Sequence, residues 1–176
     1  MNAPDFLKDV RRITQARYAV DIPWNHLEHW ISRQADIIDT SPDYQREHVW
    51  TKAQRIAWLE WVARGGRSGT DIYWNCPGWM GTFKGPLELV DGKQRVHSVR
   101  LFMADKLPIF GRTYSGWNGT LPMLDMSLRF HIADMDRRAD VLQWYVDMNA
   151  GGTVHKKREI DKVREMIASA KKEDRA

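Results

Sequence analysis

Residues 87–95 read LELVDGKQR. The run LELV predicts a short strand, the pair DG predicts a tight turn, and a helix is predicted to begin immediately at Lys93. The first amides of a helix have no acceptor within the helix, and they carry the positive end of its dipole. The stretch therefore predicts an anion site where a strand meets a helix.

The side chains of this turn suggest how such a site would work. Lys93 and Arg95 place positive charge beside the amides, and an arginine can hold a phosphate with two parallel hydrogen bonds. Gly92 would let a ligand approach the backbone closely. Asp91 repels phosphate, so the roles open to it are metal binding, general base catalysis or orienting a ligand hydroxyl. A simpler interpretation stays open, in which Asp91 caps the helix, Gly92 only forms the turn and both cations are solvated.

Strand-like and helix-like segments alternate irregularly on both sides of this stretch. Thr51 and Gln54 have the spacing of a capping box and predict the start of a helix, which Gly65-Gly66 ends. We therefore expect an α+β fold, a small mixed β-sheet flanked by helices. Strands are predicted at 71–74, 87–90, 107–110 and 128–132, and helices at 5–17, from 23, from 51, and at 93–104, 136–149 and after 153.

Two further polar segments are candidates for a site. Gln45-Arg46 lies in a polar extended segment, where the arginine either points into a site or is an ordinary loop residue. Asn149-Ala-Gly-Gly-Thr153 precedes the last predicted helix, and it either presents amides and a hydroxyl to a ligand or is a turn between helices. The residues alone leave both alternatives open.

Composition excludes several classes of protein. The 176 residues are 43% hydrophobic and 28% charged, which is typical of a globular domain and not of a disordered chain. No apolar run approaches the roughly 20 residues of a membrane span, so we expect no membrane association. The single cysteine, Cys76, excludes an intrachain disulfide and favours a cytoplasmic location.

The net charge of +4 suggests nucleic acid as a partner, but its distribution changes that interpretation. Residues 156–176 carry +3 and residues 1–20 carry +2, which leaves −1 for residues 21–154. The simplest interpretation of the basic termini is solvated helix faces, and contact with DNA through them is the alternative.

Three motifs occur in an order that resembles a known family. They are PDYQRxxVW at 42–50, LVDGKQR at 89–95 and MNxGGT at 148–153. This order is similar to that of the N-terminal domain of GmrS/GmrD-type restriction proteins, a branch of the ParB/sulfiredoxin-like superfamily. The resemblance implies one domain, residues 1–176, with N-terminal helices over 1–38, a ParB/sulfiredoxin-like core over 40–165 and a basic tail over 166–176.

The resemblance implies an NTPase or phosphotransferase that binds a nucleoside triphosphate (ATP, GTP or CTP) with Mg²⁺. Residues 91–95 correspond to the family's DGQQR-type motif, with Lys93 where glutamine is common. Asp91, Gln94 and Arg95 would be catalytic, and Asp91 would hold the metal ion. The residues implied in nucleotide binding are Gln45, Arg46, Gly92, Lys93, Arg95, Asn149 and Thr153.

The restriction proteins of this family continue into an HNH-type nuclease domain, whereas this sequence ends at Ala176 without a His-Asn-His cluster. We therefore expect a freestanding phage or mobile-element member that works with a separate nuclease or modification protein. The alternative function is a DNA-binding or regulatory module with a non-catalytic nucleotide site. In that module the loop residues Trp79 and Trp117 could stack on bases.

Overall fold

The computed structural model describes residues 17–45, 47–149 and 157–173. These ranges contain five strands and five α-helices, and the predicted α+β fold, a small mixed sheet flanked by helices, is confirmed. In chain order the elements are β1 (Arg17–Pro23), α1 (Leu27–Ser32), β2 (Ile38–Asp39), α2 (Lys52–Ala63), β3 (Asp71–Asn75), β4 (Leu87–Asp91), α3 (Lys93–Met103), β5 (Ser127–Ala133), α4 (Arg138–Asn149) and α5 (Lys157–Glu173).

The sheet has the order β1-β5-β3-β4-β2, with β3 at its centre. β1 pairs antiparallel with β5, and β3 pairs antiparallel with β4. The contacts of β3 with β5 and of β4 with β2 are parallel. This order places the end of β4, and therefore the turn at residues 91–92, beside the start of the central strand.

The sheet separates two hydrophobic cores, because alternate side chains of a strand point to opposite faces. The main core lies between one face and helices α1 to α3, and it includes Trp74, Phe130 and Phe102. The second core lies between the other face and helices α4 and α5, and it includes Val90 and Tyr145. At residues 166–173, where we expected the start of a basic tail, α5 still contributes buried residues to this second core.

The N-terminal part differs from the sequence prediction. Residues 17–23 form the edge strand β1, although only helices were expected over 1–38, and residues 5–16 of the first predicted helix lie outside the described residues. Val20 and Ile22 turn toward the main core while Ala19 and Asp21 are exposed, which is the period of a strand. The pairing of the whole segment with β5 decides its conformation.

The predicted strand at 107–110 is wrong. Ile109 and Arg112 form only an isolated bridge, because Phe110 and Gly111 both adopt positive φ angles and reverse the chain at once. Leu107 and Ile109 are buried in the main core, so the apolar signal in the sequence came from core packing and not from a strand.

The capping box at Thr51 and Gln54 is confirmed. The Thr51 amide donates to Gln54 Oε1 at 2.8 Å, and the Gln54 amide donates to Thr51 Oγ1 at 3.2 Å. The reciprocal pair fixes the start of α2 and with it the end of the polar segment, which we define as residues 43–50.

Most of the tryptophans pack inside the protein. Trp24 and Trp74 are fully buried, and Trp79 and Trp117, the two loop residues, pack partly buried against the main core. Trp61 is the exception, with 51% of its surface exposed. None of the helices in the described ranges is long and apolar enough to cross a membrane.

Candidate functional site

A cleft of about 300 Å³ opens where β4 ends and α3 begins. It is lined by the turn residues and by side chains from three other parts of the chain. These are residues 90–95, Gln45 and Trp50 from the polar segment, Trp58 and Gly69 from α2 and the loop after it, and Tyr145, Met148 and Asn149 from α4. The three motifs of the sequence therefore meet in one cleft.

Position 92 requires glycine for a structural reason that the sequence did not suggest. Its φ of +107° lies in the left-handed region, and a Cβ atom there would lie 2.5 Å from Ile72 Cδ1. The space on the Cβ side of Gly92 is therefore filled by Ile72 of the main core, while Gly92 itself lines the cleft. The expectation that this glycine lets a ligand approach the backbone stays a prediction. Gly92 is also the N-cap of α3, and no side chain caps the helix, so the interpretation of Asp91 as the cap is wrong.

The first amides of α3 come before the helical hydrogen-bond ladder. The first bond that closes back on the N-cap runs from the Val96 amide to the Gly92 carbonyl, at 3.0 Å. Residues 93–95, whose amides precede this bond in the helix, line the cleft. The anion site predicted at this helix start stays a prediction.

Arg95 bridges the side chain of Asp91 and the backbone of Asp71 at the edge of the cleft. One terminal nitrogen forms an ion pair with the Asp91 carboxylate, and the other donates to the Asp71 carbonyl oxygen at 2.7 Å. The side chain of Arg95 is only 17% exposed. A guanidinium has five N–H donors, so three remain after these two bonds.

Two hydrogen-bonded side chains, Lys93 and Gln45, connect the chain at residues 41–45 to the strand-helix junction. Lys93 Nζ donates to Ser41 Oγ at 2.7 Å. The side-chain amide of Gln45 donates to the Leu89 carbonyl and, at 2.9 Å, to the Val90 carbonyl. Gln45 therefore lies against the last residues of β4, within the cleft.

Gln94 is buried under the polar segment. Its Oε1 accepts from the Val49 and Trp50 amides, each at 3.2 Å, and its Nε2 donates to the Glu47 carbonyl at 3.2 Å. These bonds hold residues 47–50 on the start of α3. The expectation that Gln94 positions a nucleophile or a phosphate stays a prediction.

The third motif reaches the cleft through α4. Asn149 lines the cleft, and its Nδ2 donates to the Tyr145 carbonyl one turn earlier at 2.7 Å. Arg46 and Thr153, the remaining residues implied in nucleotide binding, lie outside the described residues.

A buried polar network, which the sequence patterns did not predict, holds Tyr44 of the polar segment on β4. Glu88 is 6% exposed, and it accepts from Tyr44 Oη at 3.2 Å and from Arg138 at 3.2 Å. Burial raises the pKa of Glu88, and the positive charge of Arg138 opposes that shift. The available signal was a glutamate inside the otherwise apolar run LELV.

Two histidines, one before α2 and one in α3, stack on each other. The rings of His48 and His97 lie 4.0 Å apart between centroids and are inclined by 25°. Burial, followed by the charges of His48, Arg55, Arg100 and Lys93, lowers the pKa of His97 to about 4. The pKa of His48 is lowered too, first by burial and then by Lys93 and Arg55.

This pair predicts a loss of stability in acid. The pKa of His97 is about 4 in the folded protein and has its ordinary value of 6.5 in the unfolded chain. Between about pH 6.5 and 4 the unfolded chain therefore binds more protons than the folded protein. The free energy of unfolding should fall over that window by about 1–2 kcal/mol, a value reduced for the solvent exposure of the ring. Urea titrations from pH 8 to 4 measure it, and the variant His97→Gln should show a smaller decrease. An equal decrease in the two proteins would contradict the assignment.

Within the described ranges, no group of three or more His, Cys, Asp or Glu side chains could hold a metal ion. Asp91 is a carboxylate that borders the cleft, with 32% of its side chain exposed. A metal ion there would need most of its ligands from a bound substrate or from water.

Comparison with known proteins gives one match. Residues 27–173 match the family model described as "GmrSD restriction endonuclease, N-terminal domain". No curated protein matches the chain, and no solved structure matches it. Since the match spans more than half of the sequence and includes all three motifs, the chain belongs to the family of GmrSD restriction endonuclease N-terminal domains.

Proposed function

We propose that the cleft binds a nucleoside triphosphate and that the protein hydrolyses or transfers its terminal phosphate in a restriction or phage-defence context. One observation carries the proposal. Residues 45, 91–95 and 149, which are far apart in the sequence, line the same cleft at the start of α3. A strand-turn-helix junction with cations beside the first amides of the helix is a common way of holding phosphate groups.

The cations of the cleft would bind the phosphates. Lys93 provides a positive charge in the first turn of α3, and Arg95 provides the N–H groups that remain beside its bonds to Asp91 and Asp71. Both charges lie at the amides of α3, so they would stabilise negative charge that develops on a transferred phosphoryl group. Gln45 and Asn149 would contact the nucleotide from the two sides of the cleft, with Arg46 and Thr153 as further candidates.

Asp91 is the residue that would hold Mg²⁺ in this site. Mg²⁺ in phosphate-transfer sites commonly takes one or two carboxylates and completes its shell with phosphate oxygens and water, so one carboxylate fits. When bound, the ion would neutralise phosphate charge. Arg95 would keep the Asp91 carboxylate turned toward the cleft through their ion pair.

A thermal-shift series with ATP, GTP, CTP and UTP, each with and without Mg²⁺, tests binding. A ligand present at a hundredfold excess over its Kd should stabilise the fold by about 2.7 kcal/mol, which raises Tm by several degrees. Stabilisation by at least one triphosphate, followed by release of phosphate or transfer to an acceptor, supports the proposal. The absence of any shift in all four series contradicts it.

A DNA-binding or regulatory module is the second candidate function. The family is one of restriction endonucleases, and α5 ends in the exposed residues Lys171 and Lys172. A separate nuclease or modification protein would then act on the bound DNA.

A salt titration of DNA binding tests this candidate. If the cations of α5 contact phosphates, log Kd should change steeply with log salt concentration, and the slope should decrease by about 2 in the variant Lys171→Gln/Lys172→Gln. The variant Lys84→Gln/Lys106→Gln, with two exposed lysines elsewhere, is the control. No binding at low salt, or an unchanged slope, would exclude the α5 contact.

A further inference from the structure

A second polar cluster lies on the open part of the sheet face, next to the cleft. His131 Nε2 and Asp71 Oδ1 are 2.6 Å apart, and the two side chains are 33% and 41% exposed. The ring of Tyr73 stacks on His131, with centroids 4.9 Å apart and planes inclined by 15°. Neither Asp71 nor His131 belongs to the three motifs of the sequence.

The sheet register connects this cluster with the cleft. Tyr73 is paired with Asp91 on one side and with His131 on the other, so these three residues form a row across β4, β3 and β5. Neighbouring strands lie about 4.8 Å apart, which places His131 about 10 Å from Asp91 along the row. Arg95 also connects the two groups, since it bonds both the Asp91 carboxylate and the Asp71 backbone carbonyl.

The hydrogen bond to Asp71 selects one tautomer of the neutral imidazole. A carboxylate only accepts hydrogen bonds, so Nε2 carries the proton of the neutral ring and Nδ1 carries the lone pair. No hydrogen bond to Nδ1 occurs among the described residues. An imidazole oriented by a carboxylate, with its second nitrogen available, is the arrangement that enzymes use to take a proton from a hydroxyl.

We propose that Asp71 and His131 form a general-base pair that activates a hydroxyl nucleophile for attack on the terminal phosphate of a nucleotide held in the cleft. This inference rests on the proposed function of the cleft. His131 would be a catalytic residue, and Asp71 a positioning residue that holds its ring.

The proposed reaction is a displacement at the terminal phosphorus of the nucleotide. The hydroxyl oxygen forms a bond to the terminal phosphorus and its proton moves to His131 Nδ1. The bond from that phosphorus to the bridging oxygen breaks, and the nucleoside diphosphate leaves with the electron pair. The product is inorganic phosphate if the hydroxyl belongs to water, and a phosphomonoester if it belongs to an alcohol or a sugar.

Steady-state turnover of the nucleotide selected by the thermal-shift series tests the pair. The variant His131→Ala should lower kcat by about 10²- to 10⁴-fold and leave the Kd for the nucleotide within about twofold. Added imidazole should restore part of the lost rate, which a purely structural role would not predict. Asp71→Asn should also lower kcat, because an amide no longer fixes the same tautomer of the ring.

Arg129→Gln is the matched control. Arg129 lies on the same strand and face as His131 and is near Asp21, at 3.9 Å between Nε and Oδ1, with both side chains more than half exposed. Its replacement should leave kcat unchanged. If His131→Ala does not fold, judged by circular dichroism, His131→Gln replaces it with a side chain that still hydrogen bonds.

The possible results separate this inference from the proposed function. A wild-type protein without nucleotide turnover overturns both. A wild-type protein that turns over nucleotide, with kcat retained within about threefold in folded His131→Ala and His131→Gln, overturns the general-base pair alone. Phosphorus NMR with glycerol or glucose added distinguishes the acceptors: inorganic phosphate and a phosphomonoester both fit the pair, whereas a phosphorylated side chain as the trapped intermediate contradicts it.

Discussion

Replacement of Arg95 by alanine should weaken triphosphate binding by about a hundredfold. Hydrogen bonds to a charged partner contribute about 1.5–3 kcal/mol, and each 1.4 kcal/mol changes Kd tenfold. The protein should remain folded, because the Asp91 side chain is 32% exposed and water can hydrate its carboxylate once the ion pair is lost. Calorimetric titration with the nucleotide measures Kd, and circular dichroism checks the fold.

Two variants make the Arg95 experiment specific. Arg100 lies on the same helix as Arg95 but away from the cleft, where it forms an ion pair with Glu28 of α1. Arg100→Ala removes this ion pair and should leave Kd unchanged. Arg95→Lys keeps one charge but loses the planar set of donors, so its Kd should lie between those of the wild type and the alanine variant. If folded Arg95→Ala binds the nucleotide as tightly as the wild type, the phosphates do not contact this residue.

The variant Gly92→Ala should lose about 2–4 kcal/mol of unfolding free energy. Part of this loss comes from the φ of +107°, which L residues rarely adopt, and the rest comes from the approach of the new Cβ to within 2.5 Å of Ile72 Cδ1. Urea denaturation measures the change as a lower midpoint at a constant m-value.

Gly111→Ala separates these two causes. Gly111 also has a positive φ, of +77°, but its Cβ would meet nothing within 4 Å, so this variant should lose only about 1 kcal/mol. Ile72→Val removes the Cδ1 atom, and the double variant with Gly92→Ala should be more stable than the sum of the two single changes predicts. Equal losses in the two glycine variants would show that packing against Ile72 does not matter.

The elements around the turn could be predicted because their signals are local. The capping box at Thr51, the turn at 91–92 and the apolar periodicity of α3 each depend on residues within one or two helical turns. The same reasoning failed at 107–110. The apolar residues Leu107 and Ile109 have the spacing of a strand because both are buried, but the chain turns at Phe110.

The candidate site was only partly predictable. The order of the three motifs indicated that residues 45, 91–95 and 149 belong together, and they do line one cleft. The partners of these residues could not be predicted, because Gln94 bonds a segment more than forty positions away and Arg95 bonds the Asp71 backbone. The Asp71–His131 pair has no motif at all, since it arises from the parallel pairing of β3 with β5.

The sequence by itself determined that a strand runs into the turn at Asp91-Gly92, and that a helix with Lys93 and Arg95 in its first turn follows. These features depend on backbone preferences and on the spacing of residues that are close in the sequence, so they can be recognised without the tertiary structure. Only the tertiary structure decided what lies beside them: Ile72 behind Gly92, the Asp71 backbone beside Arg95, and His131 farther along the same sheet face. The physical reason is that strand order and register, which bring distant residues together, are chosen by the burial of whole faces and not by any local signal.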